Sequence, residues 1–214
     1  MDGFSRRTAP DSTDGGRFPG VAVAIVTNNK DPDGLGRVKV KLPWLDERVE
    51  SGWTRVVTAM AGAGRGLYWL PEVDDEVLVA FEHGRPDSLY VLGGLWNGKD
   101  KPPESNNDGK NNVRALKTRS GHVIRLTDTD GDEKIEIIDK TGKDSIVVSA
   151  KDKTVAITAD ADVTITSSNG KLKLSGNGVE ITSKAAVKIE ASQNMDLKAA
   201  GPQLNIKGSM VNIN

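Results

Sequence analysis

The sequence predicts an all-β chain in two parts, a small closed barrel followed by a thin needle of short strands that sister copies complete. Three observations carry this expectation. Five apolar stretches separated by Gly, Pro and Asp turns fall within residues 21–95, with no helical 3.6-residue pattern. An apolar-x-apolar triplet recurs about every eight residues from Val155 onward. Every aromatic side chain precedes residue 97, so the two parts pack differently: a rounded interior is expected to need bulky groups, a needle only thin aliphatics.

Residues 1–17 are polar with no apolar h-region, and are expected to form a flexible arm rather than a secretory signal. The barrel is expected over 18–97. Val21–Thr27 reads as its first strand, followed by the turn-rich NNKDPDGLG of Asn28–Gly36. Arg37–Leu42 sets Val38, Val40 and Leu42 on one face, and Pro43, lacking an N–H, ends it. Trp53–Thr58 is the third strand, before a small-residue loop at Ala59–Gly66. Glu76–Phe81 and Leu89–Leu95 complete a set that suits a five-stranded Greek-key barrel of the OB-fold type.

Residues 98–112 are polar and rich in turn formers, as a linker would be. Transition strands are expected within 113–145, at Val113–Thr118, Gly121–Thr127 and Lys134–Asp139, with a turn at Asp128–Asp132. The repeat is expected over 146–214, with Ile135/Ile137 and Ile146/Val148 as irregular forerunners. Its apolar pairs are Val155/Ile157, Val163/Ile165, Leu172/Leu174, Val179/Ile181, Val187/Ile189, Met195/Leu197, Leu204/Ile206 and Val211/Ile213. Successive first positions lie 8, 9, 7, 8, 8, 9 and 7 residues apart. An i, i+2 spacing makes each triplet a short strand with two side chains on one face and a mostly polar middle residue on the other. A coiled coil needs a sustained run of apolar positions three and four apart, which the i, i+2 triplets do not follow.

One chain winding three triplets per triangular turn would complete fewer than three turns, a stub of roughly 14 Å with open sheet edges. Three intertwined chains give eight layers on each of three faces, a prism roughly 38 Å long whose interior strands pair on both sides, mostly with other chains. The expectation is therefore a homotrimer, with an intertwined triple-stranded β-helix whose core is built from the pairs between Val155 and Ile206.

Composition narrows the function classes. The net charge of −1 provides no global field for nucleic acid or an anionic membrane, and no nucleic-acid partner is expected. Cysteine is absent, which removes disulfides and thiolate metal sites. The longest apolar run, Val21–Val26, is far short of a bilayer span.

The stretches DPDGLGRVKVKLPW (31–44), Trp53-Thr54-Arg55, AGAGRG (61–66), PEVDDEVLVAF (71–81), Gly84-Arg85-Pro86, VLGGLWN (91–97), TRSGHVIR (118–125) and GDEKIEIID (131–139) together resemble the VgrG and phage baseplate assembly protein V family. The similarity covers roughly residues 20–214. It implies a trimeric central spike of a contractile injection machine, with an OB-fold ring, a β-helical needle and a sharp tip. Such a spike centres the baseplate, caps the tube and pierces the target envelope, contacting that envelope transiently. It would be assembled in the bacterial cytoplasm into a phage-tail-like particle, not exported by a signal peptide. The hub domain that precedes the barrel in VgrG proteins has no counterpart here, so a separate hub or baseplate protein is expected at the barrel end. The inserted lysozyme domain of some phage spikes has no counterpart either.

No catalytic, cofactor or metal site is expected. His83 and His122 lie in different halves and suit hydrogen-bonded loops, and the tip-bound iron of some phage spikes would need histidines that the final repeats lack. Asp128, Asp130 and Asp132 miss the glycine position of a calcium loop, and Gly62, Gly64 and Gly66 miss the spacing of a phosphate loop. Glu72, Asp74, Asp75 and Glu76 suit a solvated loop better than a glycosidase pair. Trp44, Trp53, Trp69 and Trp96 suit barrel core or subunit interface better than a stacking platform. At the far end, Val211, Asn212, Ile213 and Asn214 of three chains would form a triangular platform of open strand edges, where a PAAR-type tip protein is expected to sit. The competing class is a β-helical tailspike-type protein that degrades polysaccharide or binds a receptor. The aromatic-free repeat speaks against a sugar-binding groove.

Overall fold

The computed structural model describes residues 18–212; the expected arm at 1–17 and the terminal Ile213 and Asn214 lie outside the described residues. Among the described residues all regular structure is β apart from one 3-10 turn at Glu82–Gly84. The chain divides into two compact units, one ending at Asp160 and one beginning at Ala161.

The first unit opens with β1 (Val21–Asn28), β2 (Arg37–Leu42), β3 (Asp46–Glu50) and β4 (Thr54–Val56), then the two-residue strands β5 (Ala61–Gly62) and β6 (Arg65–Gly66), then β7 (Glu76–Phe81) and β8 (Leu89–Gly94). β1 pairs antiparallel with both β2 and β7, β7 with β8, and β2 with β4. β4 runs parallel to β8 and closes the ring. The five strands read from the sequence are the five staves of this barrel. β3, an outer strand on β2, and the β5–β6 hairpin are additional to that expectation. The hairpin depends on Gly66, where φ is +153° and a Cβ would stand 2.6 Å from the Met60 carbonyl oxygen.

Burial alternates along the staves with period two, as a barrel with a packed interior requires. Ala24, Val26, Val38, Val40, Val77, Val79 and Val91 are fully buried, with Leu42 and Leu89 nearly so. This corrects the expectation that aromatics fill the barrel: its core is valine. Five strands enclose too narrow a lumen for indoles, whereas β-branched side chains fit it and favour strands. The aromatics lie outside the fully buried core, Phe81 alone packing against it. Phe18, Trp44 and Phe81 stack at 5.4 to 6.5 Å, Trp53 lies beside Lys39 and Arg37, and Tyr68, Trp69 and Trp96 are exposed.

The β1–β2 loop is knotted by one carboxylate. Asp31 accepts Nε of Arg37 at 2.9 Å and Nη2 at 2.7 Å, and also the backbone N–H groups of Asp33, Leu35 and Arg37. The Arg37 guanidinium, ahead of those backbone donors, holds the Asp31 carboxyl well below the usual carboxylate range. The DPDGLGR stretch is therefore a structural knot centred on the Asp31 carboxylate.

Beyond the barrel, β9 (Val113–Lys117), β10 (Val123–Thr127), β11 (Lys134–Ile138), β12 (Ser145–Ser149) and β13 (Thr154–Thr158) form an antiparallel meander. β12 and β13 extend the sheet past the three strands read from the sequence. The expected start of the repeat at residue 146 falls inside this sheet, where Val155 and Ile157 pair with Val148 and Ile146 of their own chain. The second unit is different in kind. Among its described residues, 161–212, there is no strand and no backbone–backbone hydrogen bond.

Candidate functional site

The register of the meander decides which side chains share a face. Ile124 stands opposite Leu116 and Ile137, Leu126 opposite Ile135, Ile137 opposite Ile146, and Ile135 opposite Val148. With Val155 and Ile157 added from β13, one face of the sheet is almost wholly aliphatic. The eight members of this face from Ile124 to Ile157 are all exposed, by 40% to 69%. The reverse face carries Arg125, Thr127, Lys134, Glu136, Ser145 and Ser149 together with Val123, Ile138 and Val147, and these are only partly exposed. Arg125 on that side bonds Glu104 at 2.8 Å and lies 3.7 Å from Glu136. The sheet thus leaves an almost wholly aliphatic face open and a mixed polar and aliphatic face partly covered.

That reverses the ordinary arrangement, because an uncovered aliphatic patch of this extent costs free energy in water at about 25 cal/mol per Å². Ile135, Ile137, Ile146 and Val148 were legible from their i, i+2 spacing. Leu116, Ile124 and Leu126 belong to the same face and are new to the site. Their signal was present, since Ile124-x-Leu126 is itself a period-two pair.

The expected needle residues can be placed one by one. Val155 and Ile157 lie on the open face of β13. Val163, Ile165, Leu172, Leu174, Val179, Ile181, Val187, Ile189, Met195, Leu197, Leu204 and Ile206 lie in the second unit, each exposed by 46% to 68%. Val211 and Asn212 are also exposed, and Ile213 and Asn214 fall outside the described residues. The side-chain hydrogen bonds of this unit are local, as between Ser183 and Ala186. Backbone donors and acceptors without partners, beside aliphatics without cover, are what a strand offers before another chain pairs with it.

The remaining candidates have local work. His122 accepts the Lys140 backbone N–H through Nδ1 at 3.2 Å, and His83 sits in the 3-10 turn with φ +53°. Asp128 pairs with Arg114 and Asp132 with Lys134, so the acidic turn is divided between two cations. Glu72 pairs with Arg119, Asp75 accepts the Glu72 N–H, and Glu76 accepts Asn97. The Asp139 carboxyl is pulled down to about 2 by the backbone N–H groups of the β11–β12 turn, Thr141 first. Among the described residues no helix is long and apolar enough to cross a membrane.

Residues 22–96 match the family of the type VI secretion system/phage-baseplate injector OB domain. The chain is similar to three type VI secretion system spike proteins of Pseudomonas aeruginosa. It is 28% identical to VgrG1a over 144 residues, covering 61% of this chain and 22% of that protein. It is 29% identical to VgrG1b over 134 residues, covering 56% and 18%, and 34% identical to VgrG2a over 82 residues, covering 36% and 10%. The chain therefore spans less than a quarter of the length of these curated relatives. Because the closed barrel and the family match fall on the same residues, residues 22–96 form an OB domain of the type VI secretion system/phage-baseplate injector family, and the chain resembles the VgrG spike proteins.

Proposed function

We propose that this chain is the non-enzymatic central spike of a contractile injection machine, assembled from three copies in the bacterial cytoplasm. The barrels form a basal ring that meets a hub or baseplate protein and caps the tube. The meander sheets bring their aliphatic faces together about the threefold axis, and residues 161–214 intertwine as a triple-stranded β-helix that pierces the envelope. A PAAR-type tip protein seats on the strand edges at Val211, Asn212, Ile213 and Asn214.

The observation that carries this reading is that the chain has both an open aliphatic face and a second unit whose described residues, 161–212, make no backbone–backbone hydrogen bond. Three copies supply both deficits at once: apolar cover for the sheet and cross-chain ladders for the repeat. A rod made of such ladders resists bending without a thick core, which suits a part that is driven through an envelope. Native mass by light scattering, with negative-stain imaging, tests the assembly. Three copies and a slender projection are expected; a stable, well-folded single copy overturns the reading. Removal of residues 210–214 is expected to abolish co-purification of a tip protein, and unchanged capture would dismiss that partner.

A further inference from the structure

This inference rests on the trimeric reading above and adds to it how the three chains find one register. In a threefold needle each chain steps to the next face as it climbs one layer. Successive layers of any face therefore carry successive triplets, each from a different copy. Strand n of one chain then lies parallel to strand n+1 of a sister, with equivalent triplet positions side by side.

That neighbour rule acts on a pattern the apolar repeat does not explain. The middle residues of four consecutive triplets are Lys173, Glu180, Lys188 and Asp196, alternating in sign. The positions just before two earlier triplets pair Asp162 with Lys171, and those just after two later ones pair Glu190 with Lys198. One neighbouring pair, Lys198 with Lys207, is like-charged. Within one chain Lys188 Nζ already lies 2.7 Å from Glu190 Oε1, so the middle and following positions share a face, as an extended backbone demands.

We propose that the alternating column Lys173, Glu180, Lys188 and Asp196 is a register lock between copies. The aliphatic triplets are nearly interchangeable, so burial alone accepts one chain slid along its path by a whole repeat. Such a slip sets strand n beside n+2 on one side and beside its own equivalent on the other. Both relations are like-charged throughout the column: Lys173 meets Lys188, Glu180 meets Asp196, and Lys188 meets Lys188. Opposite charges across neighbouring strands are favourable and like charges are unfavourable, so the column rewards the correct register and penalises the slipped one.

The test uses the full chain and three variants: Lys188→Gln, Lys188→Glu, and a fourfold inversion (Lys173→Glu, Glu180→Lys, Lys188→Glu, Asp196→Lys) that keeps the alternation. The readout is the temperature at which the three-copy mass dissociates, in 0.15 M and 1 M salt. The expected result is a fall of roughly 5 °C or more for Lys188→Glu, a smaller fall for Lys188→Gln, and recovery in the inverted variant. The differences should shrink in 1 M salt, where screening acts within ~3 Å. Wild-type behaviour of Lys188→Glu, or failure of the inverted variant to recover, overturns the lock while leaving the trimer standing. A single-copy mass for the unaltered protein overturns the trimer itself.

Discussion

Ile137 gives the most direct test of the open face. It sits on the central strand of the meander, between Ile124 and Ile146 in register, and remains 49% exposed in the single chain. Full burial of such a side chain stabilises by about 1.5–3 kcal/mol, so covering the exposed half supplies about 1 kcal/mol per copy. Three copies make this about 3 kcal/mol for the assembly. Ile137→Ala should therefore weaken association roughly 100-fold. Ile137→Asp goes further, because it places three carboxylates where the faces converge, and their desolvation has no compensating cation. The assay is sedimentation velocity over a concentration series, with circular dichroism to confirm that the barrel is folded. Wild type should stay at three copies on dilution, Ile137→Ala should dissociate at higher concentration, and Ile137→Asp should run as one copy. Ser145→Ala, on the reverse face, should match wild type. An Ile137→Asp protein that keeps three copies, with unchanged dilution behaviour, would refute the claim that this face is buried by assembly.

Two further predictions concern the barrel. Val40→Ala removes methyl groups from a fully buried site opposite Val26, and should cost the barrel about 2 kcal/mol in urea unfolding without changing the native mass of folded protein. Asp31→Asn should loosen the β1–β2 loop and flatten the acid limb of stability. The folded Asp31 carboxyl titrates below its unfolded value near 3.8, so its contribution is complete above that pH and declines as pH falls below it. Wild type should lose stability more steeply than Asp31→Asn below about pH 4, and parallel acid limbs would remove the role assigned to Asp31.

Much of the barrel could be read from local pattern. Val38-x-Val40-x-Leu42 and Val77-x-Val79 declare their inward faces by alternation, and the turns between them are marked by Gly, Pro and Asp. The short strands β5 and β6 have no such mark, because two residues are too few to show a period. The β3 strand, DERVE, is polar because it lies outside the ring. The aromatics misled for a related reason. Composition says how much apolar bulk a segment carries, but only the closed ring says how wide a side chain its lumen admits.

What the sequence determined by itself was periodicity: where apolar and polar residues alternate, which side of each such stretch is apolar, and that the beat of eight carries an alternation of charge. Those properties are local, set by the two-residue repeat of an extended backbone. What only the tertiary structure decided was pairing. It joined β4 to β8 in parallel across 34 intervening positions of the register, folded β12 and β13 back into one sheet, and showed that the aliphatic face of that sheet is uncovered within the chain. Pairing and cover depend on which distant backbone lies alongside and what stands opposite, and no local pattern encodes either.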